Sequence, residues 1–345
     1  MINPECRATA IGSFPHKDSE GALSLIRGCL TDIPVWPQLP NVSFNEGMCP
    51  QCSEGIPKVR IDAAERRIWV DTSDDFFGGI EKFYEHFLAE DPALFAITPD
   101  FSTGVHAFFD TMNDACAGAF AVKGHVTGPV TWGLTVPDEQ KRATYYNEHL
   151  KDVIVKCIAR KAQWQIERLK AMNPNVIIFV DEPYLQSIGS STIALQRDDV
   201  REKINEVLDT IAAAGATSGI HCCGNSDWGF IAQTAVNILN FDAYEYGETI
   251  ALYPKEIAEF IERGGVIAWG VVPASDKALT ETADTIITKF HAAMARLVEQ
   301  GISKEKLLEQ ALITPSCGVG SLPVNVAEGV MRLLKETSAK LRGQE

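Results

Sequence analysis

Short apolar runs rich in β-branched residues alternate with longer amphipathic stretches along the whole chain. Runs of the first kind predict strands, and apolar residues at helical spacing predict helices. We predict eight strands, in 8–14, 94–100, 119–126, 175–182, 217–223, 237–243, 265–272 and 311–317. Eight strands that alternate with helices favour a closed (β/α)8 barrel, the TIM barrel, over an open doubly wound sheet. No G-x-G-x-x-G motif follows the first strand, which also argues against the doubly wound sheet, and we assign no cofactor-binding residues.

Residues 31–71 interrupt this alternation. Their first part is rich in proline, and KVRIDAAERRIWVD (58–71) predicts a β-hairpin around AAER. We expect one (β/α)8 domain over 1–345, with 31–71 as an insertion after the first strand that covers the C-terminal face of the barrel. Cys49 and Cys52 form a C-x2-C pair in the insertion. One such pair is weak evidence for zinc, and two free loop thiols are the favoured interpretation.

Charge and cysteine content narrow the range of partners and locations. The chain has 345 residues and a formal net charge of −15, which opposes binding to nucleic acid or an anionic membrane and favours a small-molecule substrate. No apolar run approaches the roughly 18–20 residues that a membrane helix needs. The N-terminal MINPECRATAIGSF resembles no signal peptide, so we expect a cytoplasmic protein. Nine scattered cysteines fit reduced thiols better than a disulfide framework.

A candidate metal site lies in HCCGNSDWGF, at the end of the predicted fifth strand. His221 and Cys223 point to the same side because strand side chains alternate, and the C-terminal strand ends of a barrel face its active site. Cys317 ends the predicted eighth strand and completes a His/Cys/Cys set, which suits zinc with one position open for substrate. The alternative is a hydrogen-bonded core histidine with buried, unreactive cysteines.

A fourth ligand is less clearly marked. Asp242 ends the predicted sixth strand in NILNFD, and Glu245 and Glu248 follow in the next loop. We prefer Asp242 because of its strand-end position. Glu245, or no fourth protein ligand, remains the alternative.

Three other side chains have two possible roles. His125 lies near a predicted strand end, where it either lines the pocket or packs in the core. Trp36 and Trp132 offer flat faces for a large ligand, although packing is the more common role of tryptophan.

The chain resembles the catalytic half of cobalamin-independent methionine synthase and the methylcobalamin:coenzyme M methyltransferases, in the superfamily that also holds uroporphyrinogen decarboxylase. The H-x-C after strand five and the lone cysteine after strand eight carry the resemblance. IGSFP (11–15) is similar to the homocysteine-contacting first strand of the synthase, VKGHVTGPVT (122–131) to its third-strand segment and VDEP (180–183) to its fourth. The similarity keeps the same order over almost the whole chain.

The resemblance implies roles for the residues already singled out. It implies a zinc (Zn²⁺) site made of His221, Cys223, Cys317 and Asp242. It also implies that Ile11, Gly12 and Ser13 contact the carboxylate of an amino-acid substrate. Asp181 would hold the substrate ammonium and act in catalysis together with the metal ligands.

The chain also departs from the synthase pattern. The full synthase has a second, N-terminal barrel that helps to bind folate, and this chain resembles the catalytic barrel alone. Ser187 stands where the synthase has a pterin-binding glutamate, and WGVVPASD (269–276) lacks the histidine proton donor expected after strand seven. The folate-binding part is therefore the part that the resemblance does not cover.

Together these features predict a cytoplasmic enzyme of methionine biosynthesis. It would move a methyl group to a zinc-bound thiol, homocysteine, from methylcobalamin or a methylated corrinoid protein, since that leaving group needs no proton. Methyltetrahydrofolate as donor and coenzyme M as acceptor are alternatives. Two other classes remain open: a metal-free decarboxylase like that of uroporphyrinogen, and a non-catalytic corrinoid- or metal-binding partner.

Overall fold

A computed structural model describes residues 2–190 and 193–344. The strands in chain order are β1 (Arg7–Ala8), β2 (Val59–Asp62), β3 (Arg67–Val70), β4 (Val122–Thr127), β5 (Val176–Asp181), β6 (Thr217–Cys222), β7 (Ile238–Phe241), β8 (Val266–Val272) and β9 (Ala311–Pro315). Seven of them form one parallel sheet in the order β1-β9-β8-β7-β6-β5-β4, and β2 and β3 form a separate antiparallel hairpin. The hairpin predicted around AAER is therefore confirmed.

Helices occupy the connections between the strands. In chain order they are α1 (Ser19–Cys29), α2 (Met48–Gln51), α3 (Phe76–Leu88), α4 (Pro92–Phe95), α5 (Thr103–Thr111), α6 (Asn113–Ala117), α7 (Pro129–Thr135), α8 (Glu148–Lys170), α9 (Arg197–Ala213), α10 (Trp228–Ala232), α11 (Ala243–Tyr246), α12 (Pro254–Glu262), α13 (Ala283–Val298), α14 (Lys304–Glu309) and α15 (Val324–Leu341). Within the described ranges, no helix combines the length and the apolar character needed to cross a membrane.

The barrel closes through a segment that is not a regular strand. Residues 34–38, PVWPQ, form one isolated parallel bridge to Lys123 of β4 and another to Ser13, beyond β1. Two of the five residues are prolines, whose nitrogen carries no proton to donate to a ladder. This segment takes the eighth position, between β1 and β4. The predicted (β/α)8 barrel with a hairpin-containing insertion after β1 is confirmed.

The predicted strand at 94–100 is wrong. Asp91 accepts a hydrogen bond from the Ala93 amide and caps α4, which begins at Pro92. An acidic N-cap followed by proline begins a helix, and an apolar run as short as LFAI does not distinguish strand from helix. The second barrel position comes instead from 34–38, inside the stretch predicted as insertion.

The insertion contacts the C-terminal end of β4. Thr127 Oγ1 donates to the Met48 carbonyl at 2.5 Å, and the Thr127 amide donates to Cys52 Sγ at 3.4 Å. These contacts support the predicted cover over that face. That residues 1–345 form one domain stays a prediction.

The inside of the barrel is apolar toward the N-terminal ends of the strands and polar toward their C-terminal ends. Its packed side chains form a cluster separate from the layer between strands and helices: Ile33, Ala121, Ile177, Phe179, Ile238, Val266, Ala268 and Leu312. Polar side chains of the same strands follow toward the C-terminal ends, among them Asp181, His221 and Asn240. The fold thus places its chemistry at one end of the barrel, where TIM-barrel active sites lie.

Candidate metal centre

His221, Cys223 and Cys317 meet at the C-terminal ends of β6 and β9. Each offers one ligand atom, and the three atoms all lie within 4.8 Å of one another. His221 is buried, and both cysteines are half-buried. Among the described residues they are the one group of three or more His, Cys, Asp or Glu side chains with such spacing. The structure therefore brings together three of the four predicted ligands.

The contact between the two sulfurs polarises them. The hydrogen bond from Cys317, together with His221, lowers the pKa of Cys223 to about 4. The same hydrogen bond raises the pKa of Cys317, because its proton is shared with a neighbouring thiolate. A thiolate is the form of cysteine that binds metal, so one ligand is already in that form at neutral pH.

Asn240 fixes the orientation of the His221 ring. Its Nδ2 donates to the Ala268 carbonyl and to Thr314 Oγ1, each at 2.8 Å. Its Oδ1 is therefore the atom that faces His221 Nδ1, at 2.5 Å, and it accepts the proton of Nδ1. The Nε2 atom is buried without a hydrogen-bond partner among the described residues. Metal-binding histidines are commonly held in this way. Against the effect of burial, Cys223 and Asp181 raise the pKa of His221, so Nε2 is a basic nitrogen at which a metal ion would compete with a proton.

We expect Asn240→Ala to lower the affinity of this cluster for a divalent metal ion about 10- to 100-fold, because the His221 ring would lose its orientation and its tautomer. Competition with a chromophoric chelator measures the affinity. Asn237→Ala is the matched control, since Asn237 contacts Ser218 at the other end of the same pair of strands. Equal affinities of the Asn240 variant and the wild-type protein would contradict the assigned role.

The two side chains considered as a fourth ligand, Asp242 and Glu245, already have other partners in the structure. Asp242 Oδ1 accepts a hydrogen bond from the Glu245 amide at 3.0 Å and caps α11, and Asp242 is not among the three clustered residues. Burial raises the pKa of Asp242 to about 6, with a contribution from the nearby charge of Cys223. Glu245 is exposed and pairs with Lys277 at 2.6 Å. Asp242 as a ligand stays a prediction.

Asp181 lies beside the cluster, paired in register with His221 across β5 and β6. Its Oδ1 atom is buried and has no hydrogen-bond partner among the described residues. Burial raises the pKa of Asp181 to about 6, although the charges of His221 and Lys123 oppose the shift. A carboxylate oxygen left without a donor is suited to receive one from a cationic ligand.

Residues 11–13 lie on the other side of the cluster. Ser13 Oγ accepts a hydrogen bond from the Gly320 amide at 3.3 Å. A Cβ placed on Gly318 would lie 2.2 Å from the same Oγ, so this segment packs directly against the loop that begins at Cys317. The predicted carboxylate-binding segment and the cluster are therefore neighbours.

Lys123 is a buried cation that sequence analysis missed. Its Nζ donates to the Ile11 carbonyl at 2.6 Å and lies 4.1 Å from the centre of the Phe179 ring. Burial lowers the pKa of Lys123 to about 7, against the opposing effect of Asp181. The ammonium ties β4 to the segment after β1, where backbone pairing is sparse.

Glu182 and Asn240 were also missed. The Glu182 carboxylate is fully buried and accepts hydrogen bonds from the Val130 and Thr131 amides at 2.9 and 2.8 Å, so it caps the N-terminus of α7. For Asn240 and Lys123 the signal is a polar side chain inside a buried strand, as in ILNF and VKGHVT, whereas Glu182 follows β5 and gives no such signal. Trp132 is fully buried, as is Trp36, so both tryptophans pack in the core.

A cleft of about 760 Å³ lies between the β2–β3 hairpin and the segments that follow β4 and β5. Trp69 and Tyr184 line it, together with three cations, Arg66, Arg67 and Lys141. None of these cations forms an ion pair with a described residue. Asp138 and Glu139 line the same cleft, so its charged groups are mixed and favour a large polar ligand rather than one of a single charge.

Comparison with known proteins gives a relative in sequence and a similar solved structure. No family model matches the chain. The chain is 25% identical over 221 residues to the methionine synthase of Methanocaldococcus jannaschii, which is 64% of this chain and 65% of that protein. A B12-independent methionine synthase from Shewanella sp. W3-18-1, solved with selenomethionine, aligns with a TM-score of 0.47 and 16% identity, over 69% of this chain and 67% of that chain. The chain thus spans less than two thirds of the length of the curated relative, and its resemblance to methionine synthase is confirmed.

Proposed function

We propose that this chain, which resembles methionine synthase, transfers a methyl group to the thiol of homocysteine and so forms methionine. One observation carries the proposal: the His/Cys/Cys cluster lies between an unpartnered carboxylate and the segment after β1. These three parts complement the three polar groups of an amino-acid thiol. The cluster would receive the sulfur, Asp181 the ammonium, and residues 11–13 the carboxylate.

We infer that His221, Cys223 and Cys317 hold Zn²⁺. An imidazole and two thiolates are donors that zinc prefers, and three protein ligands is the number found in catalytic zinc sites. The free Nε2 of His221 and the low pKa of Cys223 fit this role. Bound there, zinc would supply a positive charge that lowers the pKa of an acceptor thiol, so that the thiolate is available at neutral pH. Asp242 is the proposed fourth ligand, at the position that the acceptor sulfur would take.

The remaining residues would orient the acceptor. Asp181 Oδ1, which has no donor of its own, would accept a hydrogen bond from the substrate ammonium. The Lys123 ammonium holds the Ile11 carbonyl in place and so fixes the backbone that faces the substrate carboxylate. With its ammonium and its carboxylate both held, the acceptor can present its sulfur in one orientation only. Such positioning accounts for a large part of the barrier reduction in group-transfer enzymes.

We propose methylcobalamin or a methylated corrinoid protein as the methyl donor. Ser187 cannot replace a carboxylate that binds a pterin, and the segment after β8, from Pro273 to Asp276, contains no histidine to protonate a folate leaving group. The cleft beside the hairpin is large enough for part of a bulky donor.

The experiment supplies zinc-loaded protein and homocysteine with either methylcobalamin or methyltetrahydrofolate, and detects methionine by mass spectrometry. We expect methionine to form with methylcobalamin and not with methyltetrahydrofolate. Formation of methionine with the folate alone would refute the proposed donor. If neither donor gives methionine, while coenzyme M is methylated in a parallel reaction, the proposed acceptor is wrong.

A further inference from the structure

His125 is a buried imidazole without a hydrogen-bond partner. It is 4% exposed, and both ring nitrogens are buried and unbonded to any described residue. Burial, together with the nearby Lys123 ammonium, holds the pKa of His125 well below its usual range, so the ring is neutral. A neutral imidazole has one N–H donor and one acceptor. Leaving both unsatisfied is costly, which points to a partner that arrives from outside the chain.

Packing alone holds this ring in place. Trp36 stacks on one face with ring centres 3.8 Å apart and an interplanar angle of 23°. Gly12 lies against the ring as well, since a Cβ there would be 2.3 Å from His125 Cε1. Gln165 fixes both partners of the stack: its Oε1 accepts from Trp36 Nε1 at 2.8 Å, and its Nε2 donates to the His125 carbonyl at 2.9 Å. The ring is thus rigid while its polar edge stays uncommitted.

The ring lies beside the segment assigned to the substrate carboxylate, residues 11–13. Gly12 joins Ile11 to Ser13, and Ser13 contacts the loop that follows Cys317. Lys123, two residues before His125 on β4, holds the Ile11 carbonyl. An anion beside the ring would therefore lie close to a buried cation, in surroundings of low polarity where such an attraction is strong.

We propose that His125 donates a hydrogen bond to the carboxylate of the acceptor thiol and so selects thiols that carry an anionic group at the end remote from sulfur. This inference rests on the proposed function, because it takes the thiol-binding pocket as given. It adds a specificity residue from β4 to a carboxylate site otherwise built from the segment after β1. The hydrogen-bond donor, His125, and the residues that pack around it all lie outside the His/Cys/Cys cluster.

The test measures thiol binding to the Co²⁺-substituted protein by its absorption spectrum, without any methyl donor. Homocysteine is compared with 3-aminopropane-1-thiol, which has the same chain and amine but no carboxylate. The variant is His125→Phe, which keeps a ring on Trp36 and removes the donor. His125→Met is a second variant, because its flexible side chain fits where a larger ring does not.

We expect either variant to weaken homocysteine binding roughly 10- to 100-fold, as for loss of a hydrogen bond to a charged group, and to change 3-aminopropane-1-thiol binding less than about twofold. Equal weakening of both thiols would show a merely structural role and overturn the inference, as would unchanged binding of homocysteine. A wild-type spectrum that responds to neither thiol would instead contradict the proposed function itself.

Discussion

Replacing Cys317 by serine is expected to lower the zinc affinity by about three orders of magnitude. Structural zinc sites bind with about 10–16 kcal/mol, so one of three protein ligands accounts for about 3–5 kcal/mol, and three orders of magnitude correspond to about 4 kcal/mol. A serine hydroxyl does not ionise at neutral pH and cannot take the place of the sulfur. Elemental analysis gives the zinc content, and chelator competition gives the affinity.

Cys222→Ser provides the matched control. Cys222 is adjacent to a proposed ligand in sequence, but its Sγ lies on the other face of β6, near the carbonyls of Pro183 and Gly224. We expect this variant to keep full zinc content. Loss of zinc from both variants alike would show general destabilisation, and retention in both would exclude Cys317 as a ligand.

Gly12→Ala is expected to destabilise the fold strongly. Gly12 has φ of +147°, a backbone conformation that L-residues rarely adopt. An alanine Cβ would lie 2.3 Å from His125 Cε1, and the ring has no room to retreat because Trp36 stacks on it. Strain and overpacking, each about 1–3 kcal/mol, together lower the free energy of unfolding by about 2–6 kcal/mol.

Urea unfolding followed by far-UV circular dichroism measures this loss. Gly28→Ala is the control, since Gly28 lies within α1 and a Cβ there meets nothing within 4 Å. Alanine is the better helix former, so this control should gain about 0.5–1 kcal/mol. If the Gly12 variant has the same midpoint of urea unfolding as the wild-type protein, the stacked rings of His125 and Trp36 can shift at little cost, which contradicts the expected loss.

Much of the barrel could be predicted because its strands are buried on both faces. Strands such as β5 and β8 are continuous runs of β-branched and apolar residues, and each lies inside its predicted range. The segment 34–38 could not be found in this way, because its prolines and sparse hydrogen bonds resemble a loop. Its position depends on neighbours distant in sequence.

The candidate site also contains both residues that could be predicted from the sequence and residues that could not. His221, Cys223 and Cys317 were predictable because their residue types and strand-end positions already indicate metal chemistry. Asn240 and Gln165 were not, since an amide shows no chemistry in the sequence until its hydrogen bonds are known. The role of such residues depends on register and helix packing, which no local pattern specifies.

The irregular closure of the barrel has a consequence for its motions. Opening a stretch of sheet costs less free energy where few backbone hydrogen bonds join the chains, so thermal fluctuations should part the barrel between β1 and β4 before they part it elsewhere. Ser13 and Lys123 lie on the two sides of that gap. A brief opening there would loosen the segment proposed to bind the carboxylate of an amino acid, while the fully paired strands that carry His221 stay closed. Release of product could then begin at the carboxylate rather than at the sulfur.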